Sequence, residues 1–101
     1  MPATITPLKG TGSLAITAQN TFTNWTLLDH GDFNLSIQYG GGAAGTVTVQ
    51  RSFDQSVIKD VEAFTANTEK IGTTGAKEYY RLGVKTGEYT SGTITVQIYQ
   101  H

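Results

Sequence analysis

The chain has 101 residues, enough for one compact domain and not for two. It contains no cysteine, which excludes disulfides, thiolate metal sites and a cysteine nucleophile together, and fits folding in a reducing compartment. A net charge of −1 with 15% charged residues leaves no basic field to gather nucleic acid or an anionic membrane, and no run approaches the roughly 20 apolar residues that span a bilayer.

Taken in order, the chain opens with Met-Pro-Ala-Thr-Ile-Thr-Pro, which lacks the cationic and apolar regions of a secretory signal. Without a secretory route, the glycosylation patterns starting at Asn24 and Asn34 carry no weight. Residues 1–12 hold both prolines and two glycines, and proline cannot donate to a strand ladder. The expectation is an extended arm or loose edge in which Pro2, Ile5, Pro7 and Leu8 are candidate contacts to a neighbouring subunit.

Residues 13–18 alternate, with Leu14 and Ile16 inward, and predict a first strand. Residues 20–28 predict a second, but Phe22 and Trp25 fall out of phase, and only a bulge between them would admit both. After a turn at Asp29, His30, Gly31 and Asp32, strict alternation of Phe33, Leu35, Ile37 and Tyr39 with polar residues predicts a third strand. The glycine-rich residues 40–45 read as a hairpin loop. A phosphate-binding loop is disfavoured because no Gly-Lys-Ser/Thr ending and no helix follow. Val47, Val49, Arg51 and Phe53 mark a fourth strand, and residues 57–65 its hairpin partner, with either phase able to face inward. A short strand around Lys70 and an exposed loop over residues 72–77 come next. Finally, Tyr80, Leu82 and Val84, then Ile94, Val96 and Ile98, mark two long alternating strands read as a closing pair joined by the turn-rich residues 86–92.

Strands at roughly 8–12-residue spacing without an amphipathic helix predict an all-β, antiparallel β-sandwich or jelly roll of about seven to eight strands. The domain would cover residues 13–101 behind the arm.

Sites of chemistry are hard to find. One histidine between Asp29 and Asp32 supplies no metal-ligand spacing, and no Gly-x-Ser-x-Gly elbow occurs. Asp54, Asp60, Glu62 and Glu78 read as solvated edges rather than a glycosidase pair. No catalytic residue, cofactor or metal is expected, and the chain reads as a non-enzyme. Tyrosines are the better binding candidates: Tyr39, Tyr89 and Tyr99 are expected to be exposed, with Tyr79 beside them, and such rings stack on sugars or anchor protein contacts. The competing role is cross-strand pairing. Threonine rows such as Thr46, Thr48, Thr93 and Thr95 read as ordinary outward β-formers.

Three stretches, residues 45–55, 60–65 and 79–93, together resemble a group of small tailed-phage virion proteins, a resemblance that spans residues 33–100. The chain departs from that pattern after Phe53, where a glycine and an aromatic are expected and Gln55, Ser56, Val57 and Ile58 stand instead. The resemblance implies a capsid decoration (cement) protein made in the host cytoplasm and placed on the outer capsid surface of the virion. It also implies the major capsid protein as partner and a homo-oligomer with a trimer favoured, while the low charge noted above argues against a nucleic acid or membrane partner. A neck, tail or fibre component, or a carbohydrate-binding module using Tyr39, Tyr89 and Trp25, are the alternatives.

Overall fold

A computed structural model describes residues 9–100 and is all-β. The described residues form eleven strands where seven or eight were expected. They are β1 (Lys9–Ile16), β2 (Thr21–Phe22), β3 (Thr26–Leu28), β4 (Gly31–Tyr39), β5 (Ala44–Gly45), β6 (Val47–Ser52), β7 (Lys59–Phe64), β8 (Thr68–Thr74), β9 (Glu78–Val84), β10 (Tyr89–Ser91) and β11 (Ile94–Gln100). One antiparallel sheet runs β1-β11-β4-β8; another runs β2-β9-β6-β7, with β3 also on β9. Residues 9–12, assigned to the arm from sequence, belong to β1: Lys9 pairs with Gln100 and Gly12 with Ile98 around a bulge. Pro2, Ile5, Pro7 and Leu8 lie outside the described residues.

Alternation explains the layers. β4 buries Phe33, Leu35 and Ile37, and β11 buries Ile94, Val96 and Ile98. β9 contributes Tyr80, Leu82 and Val84, β6 contributes Val47 and Val49, and with Ile16 and Leu28 all of these form one core, an arrangement compatible with a β-sandwich. Each such side chain removed from water contributes about 1.5–3 kcal/mol.

Two expected hairpins are not formed. β9 and β11 lie in different sheets, as do β4 and β6. Alternation marks an apolar face but cannot tell a ladder neighbour from a strand across the core, because both bury the same phase. The residues read as loops therefore carry the chain from sheet to sheet, and they pair with each other. β5, inside the glycine-rich stretch, forms a short ladder with β10, inside the presumed turn. Gly45, at φ 148°, admits the Glu88 carbonyl, which a Cβ would meet at 2.8 Å.

The bulge between Phe22 and Trp25 is present. Phe22 pairs with Gly83 and Thr26 with Tyr80, so three residues oppose two. The extra residue restores phase, although neither ring enters the core. Both lie instead against the Arg81 guanidinium, with ring centres 4.2 Å from it for Phe22 and 4.5 Å for Trp25.

Candidate interaction surface

The sandwich is closed on one side and open on the other. On the closed side β1 packs against β2 and β3, where Gly12 is tight against the Thr26 hydroxyl. On the open side each sheet ends in a strand with a single ladder neighbour, β7 and β8. β7 is exposed along almost its whole length, and of residues 57–65 only Phe64, in the phase it shares with Ile58, packs against the core, so the expected inward face is reduced to one side chain.

Exposed apolar side chains gather at these two edges. Of the six large ones among the described residues, five lie on β7, on β8 or in the loop joining β6 to β7: Phe53, Val57, Ile58, Val61 and Ile71. Phe53 is 74% exposed, which removes it from the fourth strand where alternation placed it. Strand β6 stops at Ser52 because the loop has its own hydrogen bonds. The Asp54 carboxylate accepts from the amides of Ser56 (2.8 Å) and Val57 (2.9 Å), and the Ser52 hydroxyl accepts from the Gln55 amide at 2.8 Å. Those backbone bonds hold the Asp54 carboxyl below the usual carboxylate range. Gln55 takes φ 67°, the left-handed conformation for which glycine was expected at this turn.

Two clefts open beside the loop and the edges. One, of about 220 Å³, lies between the sheets and is lined by the core residues Phe33, Leu35, Val49 and Tyr80, with the Glu62–Lys70 ion pair on its rim. The other, of about 360 Å³, is lined by Arg51, Ser52, Phe53, Asp54, Val57, Lys59 and Glu78. Glu78 is buried, 6% exposed, and Arg51 Nη1 stands 4.0 Å from its Oε2.

The tyrosines expected to be exposed are half-buried. Tyr39 and Tyr89 pack on the core, and their hydroxyls donate to backbone carbonyls, Tyr39 to Gly45 at 2.7 Å and Tyr89 to Gly92 at 2.7 Å. Each pins a segment that crosses between sheets, and burial raises the Tyr39 pKa. Tyr99 and Tyr79 are also half-buried. With Trp25 stacked on Arg81, the three aromatics proposed as a sugar platform are each engaged within the fold. Thr48 is buried rather than solvated, since it pairs with Gly83, on which the Phe22 ring lies, and with Ala63.

The acidic residues are dispersed. Among the described residues no group of three or more His, Asp or Glu could hold a metal ion. The turn at residues 29–32 is held by Gln100, buried and unremarked in the sequence, whose amide accepts from Asp29 N at 2.7 Å and donates to the Asp29 and Asp32 carbonyls. Asp60 bonds Lys85 and Gln50, each at 2.8 Å, and Gln50 accepts from Arg81 at 2.9 Å. The Lys85 and Gln50 bonds hold the Asp60 carboxyl low. This chain braces the outer face of the second sheet.

Fold and surface together define a small all-β protein whose exposed features are apolar edges and an ordered loop. No protein-family model matches the chain, and neither a curated protein nor a solved structure matches it.

Proposed function

We propose that the chain is a non-enzymatic structural protein of a tailed-phage particle, a capsid decoration (cement) protein. It binds the major capsid protein on the outer surface and stabilises the head, as a homo-oligomer for which a trimer is favoured. One observation carries the adhesive part of this reading: exposed apolar side chains gather on the loop over residues 53–58 and the edge strands β7 and β8. Exposed apolar surface of this kind on an unpaired sheet edge is a liability unless a partner covers it. The head location rests on the resemblance of residues 33–100 to small virion proteins. Particles made without the protein should lose integrity on heating and dilution sooner than complete ones; equal resistance rejects the cement role.

A further inference from the structure

We infer that the cleft beside the 53–58 loop receives the side chain of an arginine or lysine from a partner polypeptide, with its stem on Phe53 and Val57 and its cationic head on Glu78. That the occupant belongs to a polypeptide rests on the adhesive reading above; the chemistry rests on the cleft. Glu78 opens β9 and lines the cleft, yet no hydrogen-bond donor among the described residues reaches its buried Oε2. Arg51 Nη1, at 4.0 Å, is beyond hydrogen-bond length. A carboxylate oxygen withdrawn from water without a donor is costly, so a group that brings a donor and a positive charge recovers that cost on binding.

The other charges around the cleft narrow the choice. Asp54 is a second acceptor on the lining, but its Oδ1 already takes the Ser56 and Val57 amides and the Ser52 hydroxyl, and the residue is exposed, so it holds no desolvation cost for a partner to recover. The two cations on the lining, Arg51 and Lys59, are exposed and can turn aside while remaining solvated, and neither brings a hydrogen bond to Glu78 Oε2. An anion would face Glu78, and a purely apolar group would leave Oε2 unmatched. The walls supplied by Phe53 and Val57, 74% and 63% exposed, suit the methylene stem of a long basic side chain. The inter-sheet cleft offers no such feature, because Glu62 and Lys70 pair across its rim.

The test titrates the full chain with N-acetyl-arginine amide, N-acetyl-lysine amide and N-acetyl-norleucine amide, following backbone amide resonances. The two cationic probes should give saturable shifts at Phe53, Val57 and Glu78, with norleucine at least about tenfold weaker, equivalent to about 1.4 kcal/mol. Glu78→Gln should weaken the cationic probes by a similar factor and leave norleucine unchanged. Phe53→Ala, at an exposed position, should weaken all three. Equal binding of norleucine and arginine, an unaltered arginine affinity in Glu78→Gln, or shifts confined to another surface would each overturn the inference. If Glu78→Gln fails to fold, the contrast between arginine and norleucine on the natural chain decides. No particle enters this experiment, so its failure rejects the cleft chemistry alone, whereas absence of the protein from virions rejects the adhesive reading alone.

Discussion

At the scale of single residues, Gly83 is fixed by backbone geometry. A Cβ on Gly83 would stand 2.1 Å from the Thr21 carbonyl oxygen and 2.6 Å from the Phe22 Cα, both backbone atoms that cannot move without breaking the β2–β9 ladder. Gly83→Ala should therefore cost about 2–3 kcal/mol or more in urea unfolding, in the upper range for overpacking. Asp54 sets a pH dependence whose sign follows from its depressed pKa. Such a carboxyl contributes stability that is fully present above its unfolded value, near about 3.9, and is lost as pH falls through the lower folded value. The Ser56 and Val57 amides should thus keep their hydrogen-bonded chemical shifts at neutral pH and lose them only below about pH 4. Asp54→Ala should show the loosened loop at every pH. Retention of those shifts in Asp54→Ala would show that the carboxylate does not order the loop.

At the scale of elements, the sequence made most of the strands legible and few of their partners. The phase break at Phe22 and Trp25 correctly signalled a bulge, because a one-residue slip reverses every face. What both rings serve was hidden, since Arg81 is distant in sequence and reaches them only through the β2–β9 pairing. Val57, Val61 and Ala63 alternate as a core strand would, yet all three are exposed, because β7 sits at a sheet edge where only Phe64 reaches the core. Local pattern carries no information about whether a facing sheet extends that far. Tyr39 and Tyr89 were legible as special but not as buried, because the carbonyls they bond belong to crossings the sequence reads as open loops. Hydrogen exchange checks this hierarchy: amides in β9, with ladder partners on both sides, should exchange orders of magnitude more slowly than those of β7. Comparable protection in the two strands would mean that β7 is covered in the isolated chain.

At the scale of the whole molecule, the fold separates a side closed by β1 against β2 and β3 from a side where the edges of two sheets and an ordered loop present apolar side chains. The core does not need Phe53 or Val57, so Phe53→Asp with Val57→Asp should change unfolding free energy by no more than about 0.5 kcal/mol per site. The same pair of charges should prevent docking, since desolvating them against a partner has no compensation. The most direct measurement counts copies of the chain per purified virion by quantitative mass spectrometry, for the natural sequence and for this double variant. The account predicts coverage on the scale of the capsid lattice for the natural chain and near-complete loss for the variant. A natural chain absent from particles, or present only as one small ring, would contradict it.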